Sequence, residues 1–358
     1  MTVAIAAAGT GGHVFPALAV ARELVAGGLD PAEVVFLGGD RFEARAVPAA
    51  GFPFERFPLV ALRRSLSPRN LALPVVVRRT ARAMADTLRA RGVRVVLGMG
   101  GYVTVPAVLA ARRLGLPFFV QEQNAIPGLA VRLAARAARA TFVGLPGPAQ
   151  RLPRAELTGN PLRAELACFD REALMVEARR RYDLPADVTV LGVLGGSLGA
   201  RVLNQAVPAI VEEGRGRPRA VVHLAGVEVE TVAPLAAASS LPWRCLPFEH
   251  EMQYFYAAAN LVLCRAGAMT VSELAATGTP AVLVPLERVG QQHNAAALVA
   301  TGGARLVPQG EVACLPGIVG DLLEDPAARS AMAGAARRAA HPDAAAVIAR
   351  RLREAADG

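Results

Sequence analysis

The sequence has no lysine: all 39 basic residues are arginines, set against 30 acidic ones. That alone excludes a P-loop nucleotide site, whose glycines are followed by a lysine. Aromatic residues are only 5% of the chain and tryptophan occurs once, leaving little material for a base-stacking surface. No nucleic-acid partner is therefore expected. Cys168, Cys245, Cys264 and Cys314 are scattered with no C-x-x-C spacing. Neither a zinc site nor a disulfide framework is predicted, and a reducing compartment fits best. No apolar run reaches the roughly 18 uncharged residues of a membrane-spanning helix. The chain opens on Met1-Thr2-Val3-Ala4-Ile5, read as a first strand with no basic leader before it, which predicts a cytosolic protein.

What is present points to two α/β domains. A length of 358 residues exceeds what one hydrophobic core usually serves. Apolar runs at Val3–Ala7, Val34–Leu37, Val93–Leu97, Phe118–Gln121 and Thr141–Val143 alternate with helical stretches. The pattern restarts after Asn160-Pro161 with Val188–Leu194, Ala220–Leu224, Leu261–Cys264 and Pro280–Pro285. Such alternation predicts parallel sheets with crossover helices, twice over. The turn-forming Thr158-Gly159-Asn160-Pro161 marks the linker, giving domains of 1–160 and 161–340. The net charge of +9 is unevenly spread: residues 1–160 hold 20 Arg against 9 acidic residues, while residues 161–358 hold 19 against 21. An anionic partner for the first half is implied.

Both halves begin with strand, glycine-rich turn and helix. The first turn is Gly9-Thr10-Gly11-Gly12-His13 and the second Gly195-Gly196-Ser197-Leu198-Gly199; a third, Gly98-Met99-Gly100-Gly101-Tyr102, follows Leu97. Glycines here let a ligand approach the peptide groups, and the helix that follows offers unpaired N–H groups to an anion. One such turn is weak evidence, since any doubly wound domain needs tight turns. Val14 stands where a dinucleotide fingerprint has its third glycine, which disfavours a dehydrogenase. Three turns across two sheets suit a ligand carrying both a diphosphate and a sugar.

The ordered segments 9–21 (GTGGHVFPALAVA), 98–111 (GMGGYVTVPAVLAA), 121–130 (QEQNAIPGLA), 158–163 (TGNPLR), 195–204 (GGSLGARVLN), 264–274 (CRAGAMTVSEL) and 291–295 (QQHNA) resemble the motifs of the MurG family. The resemblance implies a GT-B architecture. Two Rossmann-like domains face a central cleft, the first binding the acceptor and the membrane and the second the donor, with a terminal helix at about 341–358 returning to the first. It implies an inverting transfer of N-acetylglucosamine from UDP-GlcNAc to the C4 hydroxyl of the muramyl sugar of lipid I. The products are lipid II, for peptidoglycan, and UDP. Such an enzyme would work as a peripheral protein on the cytoplasmic face of the cell membrane. Three departures are visible: Leu198 replaces the usual Gln, Ala266 replaces a Ser, and the loop before Gln291 is short.

Inverting transfer needs a group to take the acceptor's proton and another to receive charge on the leaving diphosphate. No Asp-x-Asp pair occurs to hold a metal for the second task, so no metal or other cofactor is expected. That task falls to the turn holding Gly196, Ser197 and Leu198, with Arg163 as a second phosphate partner. For the first, His13 stands at a predicted helix start, where the dipole keeps an imidazole neutral. His13 could instead orient the acceptor diphosphate or cap the helix, and Glu122 could serve as the base. Glu273 suits the ribose hydroxyls. Gln291, Gln292 and Asn294 suit the donor sugar, with Asn124, Thr10, Gly11 and Gly12 adding donor contacts by resemblance. Gly12, His13, Gly100, Gly101 and Tyr102 form the expected acceptor side.

The stretch Arg63 to Arg79 mixes arginines with apolar residues, as a surface does that holds anionic lipid. Pro68 and Pro74 argue against one uninterrupted amphipathic helix, leaving a buried helix with a charged rim as the other reading. Other functions on the same frame are a different lipid glycosyltransferase, a nucleotide-sugar epimerase and a non-catalytic nucleotide-sugar sensor.

Overall fold

Residues 2–6 alternate their side chains between two apolar surroundings, and both are fully buried. Val3 and Ile5 pack with Val14, Leu18, Ile348 and Leu352, whereas Ala4 and Ala6 pack with Met84, Leu88, Ala107 and Val131. A strand buried on both faces must lie inside a parallel sheet covered by helices on each side. The computed structural model describes residues 1–59, 73–147, 151–196, 198–212, 216 and 218–357, and has that architecture in each of two compact units.

The first unit comprises Met1–Arg163 and His341–Gly358. Its elements are β1 (Thr2–Ala6), α1 (Gly11–Ala26), β2 (Val34–Gly38), α2 (Glu43–Ala49), β3 (Phe54–Arg56), α3 (Leu73–Ala90), β4 (Val93–Gly98), α4 (Thr104–Leu114), β5 (Phe118–Glu122), α5 (Leu129–Ala134), β6 (Ala140–Val143) and β7 (Ala155–Leu157). The strands form one parallel sheet of order β3-β2-β1-β4-β5-β6-β7, with Ala4 opposite Val35 on one side and Val96 on the other. Helices α3, α4 and α5 pack in succession on one face.

The second unit spans Ala164–Ala340. It contains α6 (Ala164–Ala167), α7 (Arg171–Arg181), β8 (Val190–Leu194), α8 (Arg201–Glu212), β9 (Ala220–Leu224), α9 (Val229–Ala238), β10 (Trp243–Leu246), α10 (Met252–Ala258), β11 (Leu261–Cys264), α11 (Ala268–Thr277), β12 (Ala281–Leu283), α12 (Gln291–Val299), β13 (Ala304–Leu306), α13 (Leu315–Glu324) and α14 (Pro326–Arg338). Its sheet, again parallel, has order β10-β9-β8-β11-β12-β13.

A final helix, α15 (Ala344–Asp357), belongs to the first unit and lies along α1. Its buried residues Ile348, Ala349, Leu352, Ala355 and Ala356 recur at helical spacing and join the core around β1. Asn160, in the predicted linker, is buried: it accepts from Gln121 Nε2 at 2.9 Å and donates to the Gln123 carbonyl at 3.1 Å.

Candidate active site

Strand order reverses direction between β1 and β4 in the first sheet and between β8 and β11 in the second. At such a switch point the connections leave on opposite faces, and a crevice opens beyond the carboxyl ends of the two strands. The first and third glycine turns follow β1 and β4, so they flank the first crevice; the second follows β8 and flanks the other.

In the first crevice, Thr10 takes extended backbone before α1 but makes no capping bond, and the first turn of the helix has no acidic residue. His13 projects toward the third turn: a Cβ at Gly100 would lie 3.3 Å from the ring's Cδ2 and 3.4 Å from its Nε2. Gly100 and Gly101 have φ of +83° and +69°, so side chains there would be strained as well as close to the ring. Burial pulls the His13 pKa below its ordinary 6.5, opposed by the negative charge of Glu43. The ring is therefore neutral at pH 7, the form that accepts a proton. Tyr102 lies over the first turn, and burial followed by the Glu43 charge raises its pKa.

Glu122 is committed to its own loop. Its Oε1 accepts from the Asn124 backbone N–H at 2.9 Å and from Asn124 Nδ2 at 3.1 Å, and its Oε2 accepts from the Gly128 N–H at 2.9 Å. Burial pushes its pKa up against those bonds. These bonds tie Glu122 and Asn124 into the segment before α5. Arg163 stacks on Phe15 of α1, with its guanidinium carbon 5.3 Å from the ring centre. It thus stands beside the turn of the first crevice.

Around the second crevice, Ser197 lies outside the described residues. Gly196 and Gly199 have positive φ, and Leu198 between them is 72% exposed. A Cβ at Gly199 would overlap the Ala225 carbonyl, so the turn is pressed against the end of β9. Behind it, Asn204 Nδ2 donates to the Ala225 carbonyl at 3.1 Å and to Glu228 Oε2 at 2.9 Å. The Asn204 oxygen must then accept from His223 Nε2 at 2.9 Å, consistent with burial pushing the His223 pKa down to about 4. Glu228 also takes a bond from Arg201 at 2.7 Å.

From the other side of this crevice come α11, whose N-cap Gly267 makes no side-chain cap, and Glu273, which accepts from the Tyr256 hydroxyl at 2.8 Å. The three polar residues at the head of α12 divide. Asn294 is buried and donates to the Ala266 carbonyl at 3.2 Å, and Gln291 accepts from the Leu286 N–H at 2.9 Å. Both shape loops; Gln292 alone of the three is exposed. Of these three, the head of α12 thus presents one exposed side chain, with Gln291 and Asn294 bonded to the loops around it. Among the described residues, no group of three or more His, Cys, Asp or Glu side chains is placed to hold a metal.

Two residues escaped the sequence reading. Glu43 is 0% exposed, and its oxygens accept from the Gly9 and Gly39 N–H groups, each at 3.0 Å. Tyr256 orients Glu273 from another helix. Neither lies in a glycine motif; the signal for Glu43 was a lone acid at the head of a short segment that continues Ala-Arg-Ala-Val-Pro.

Residues 3–143 match the glycosyltransferase family 28 N-terminal domain and residues 190–348 the family 28 C-terminal domain. A relative from Acidothermus cellulolyticus is 42% identical over 353 residues, covering 96% of this chain and 95% of its own. It is named a UDP-N-acetylglucosamine–N-acetylmuramyl-(pentapeptide) pyrophosphoryl-undecaprenol N-acetylglucosamine transferase. The chain belongs to the MurG family. A relative of the same name from Rhodococcus opacus is 41% identical over 98% of this chain and 95% of its own. Among solved structures, MurG of Acinetobacter baumannii is similar with a TM-score of 0.79 at 30% identity, covering 99% of each chain. The UDP-GlcNAc 2-epimerase of Neisseria meningitidis shares the fold, with a TM-score of 0.69 at 15% identity over 99% of this chain and 100% of the other. MurG-family membership accounts for the paired parallel sheets and for the glycine turns at both switch points.

Proposed function

We propose that the chain transfers N-acetylglucosamine from UDP-GlcNAc to the C4 hydroxyl of the muramyl sugar of lipid I, giving lipid II and UDP. The observation that carries this reading is near-full-length identity of about 40% to relatives named for that transfer. The first unit holds the acceptor and the second the donor. His13 takes the hydroxyl proton as the oxygen attacks the anomeric carbon from the side opposite UDP. Peptide N–H groups of the turn 195–199 receive the negative charge on the departing diphosphate, a task that needs no bound cation. Glu273, held by Tyr256, accepts the ribose hydroxyls, and Gln292 reads the donor sugar.

The acceptor is lipid-borne, so the enzyme works as a peripheral protein on the anionic cytoplasmic face of the membrane. Of the stretch 63–79, residues 63–72 lie outside the described ones. The remainder begins α3, which exposes Val75 with Arg78 and Arg79. Neighbouring α4 exposes Leu109 with Arg112 and Arg113, and α5 exposes Leu129 and Leu133 with Arg132. Apolar tips among arginines on three adjacent helices suit an interfacial contact. No helix among the described residues is long and apolar enough to cross a membrane.

The test incubates purified protein with radiolabelled UDP-GlcNAc, with and without a lipid I analogue, in chelator. Acceptor-dependent, chelator-resistant transfer is expected. Conversion of UDP-GlcNAc without acceptor would establish an epimerase instead, and binding without transfer a sensor. Flotation with anionic vesicles, lost in high salt, checks the membrane contact; no binding at low salt rejects it.

A further inference from the structure

A neutral His13 that removes a proton becomes an imidazolium in surroundings whose burial disfavours positive charge. A catalytic histidine is usually backed by an acceptor on its far nitrogen. Here Nδ1 is buried and has no hydrogen-bond partner among the described residues. The negative charge that acts on the ring is Glu43, one strand over. Its carboxylate is fully buried, and no ion pair among the described residues compensates it; a lone buried charge of this kind is costly to keep. It is held by the peptides of Gly9 and Gly39, in the turns after β1 and β2. Tyr102 covers the same two glycines.

Resting on the reading of His13 as base, we propose that Glu43 is a positioning residue for it. Through the Gly9 and Gly39 peptides Glu43 fixes the turn that carries the ring, and its charge stabilises the imidazolium formed as the acceptor hydroxyl is deprotonated. The proton passes from the C4 hydroxyl to His13, the oxygen bonds to the anomeric carbon, and the electron pair of the broken bond leaves with UDP. Glu43 takes no proton. The other titratable or charged groups around the turn are Tyr102, Asp40 and Arg41, the last two acting on Tyr102 in opposite senses, and Arg163 stacked on Phe15.

The test titrates the full chain, labelled at its five histidines, by NMR, with the His13 signal assigned by its loss in His13→Ala. Glu43→Gln removes the charge while keeping an oxygen for a peptide donor. Expected are a lower His13 pKa, an acid limb of the kcat/KM profile moved to lower pH, and kcat reduced roughly 10-fold, less than the loss of the base itself. KM for UDP-GlcNAc should stay unchanged. In a His13→Ala background Glu43→Gln should cost nothing further. An unmoved titration and acid limb, or losses that multiply in the double variant, would overturn the proposal. If Glu43→Gln does not fold, Glu43→Asp sets the charge one methylene away and is read in the same way: a shifted His13 titration supports the proposal and an unshifted one overturns it. A near-wild-type rate for His13→Ala with a shifted titration would fault the base assignment and remove the catalytic half of the proposal with it. An unshifted titration with an inactive His13→Ala would sink Glu43 and leave the base standing.

Discussion

The two units share a sheet plan, a switch point and a glycine turn, but they differ in what stands behind the turn. In the first, the hydrogen bonds to Glu43 among the described residues come from peptide N–H groups, and its charge reaches a histidine. In the second, Glu228 is matched by Arg201 and Asn204, and the turn leans on the Ala225 carbonyl. The first crevice keeps a carboxylate with no ion-pair partner among the described residues near His13. The second pairs its carboxylate with an arginine and an amide. Uncapped helix starts occur at the crevices and elsewhere: α10 and α13 also lack a side-chain cap and a first-turn acid. Asp170 and Asp325 cap α7 and α14, neither of which follows directly on a strand. Helices α1 and α11, which begin at the crevices, have no side-chain cap and no acid in the first turn. Leaving those donors uncapped sacrifices about 1 kcal/mol of helix stability each, and keeps them available to an anion.

The sharpest way to break this contrast is His13→Ala, expected to lower turnover by about 100-fold or more while UDP affinity measured by calorimetry stays constant. A near-wild-type rate would remove the first crevice from proton transfer. In the unmutated enzyme the active imidazole is neutral and its pKa lies below 6.5, so the acid limb of kcat/KM should fall below pH 6.5 and activity should decline as pH drops through it. Next in size is Gly199→Ala. The backbone there has φ of +78° and a Cβ would overlap Ala225, so strain of about 1–3 kcal/mol should weaken UDP binding by roughly 10-fold or more. Acceptor affinity should not change, and a loss shared equally by both substrates would mean that the turn is only a fold element. Smallest is Glu273→Gln, which removes a charge-assisted bond of about 1.5 kcal/mol or more and should raise the UDP dissociation constant roughly 10-fold. Unchanged affinity would refute the ribose assignment.

The interior strands were legible because a parallel strand buried on both faces reads as an unbroken apolar run, as in Val34–Leu37 or Leu261–Cys264. The strands that went unread, β3, β7, β10 and β13, are the four sheet edges. Each is three or four residues long, and each carries a charged residue: Arg56, Glu156, Arg244 or Arg305. An edge strand is exposed on one side and short, so its pattern does not rise above that of a loop. The site divides in the same manner. The glycine turns and the placement of His13 in the first turn of a helix could be read because backbone geometry and helix position depend on neighbours in sequence. The contacts of Asn294, Gln291 and Glu122 could not, because what those side chains touch was settled by loop packing.

By itself, then, the sequence determined the two parallel sheets, the glycine turns that end their central strands, and the family. These follow from local pattern, which each segment carries wherever it sits. Tertiary structure alone decided that Glu43 lies behind the His13 turn and that Tyr256 steadies Glu273. Such pairings join residues far apart along the chain, and no local rule sets the distance or charge between them until the sheet is assembled.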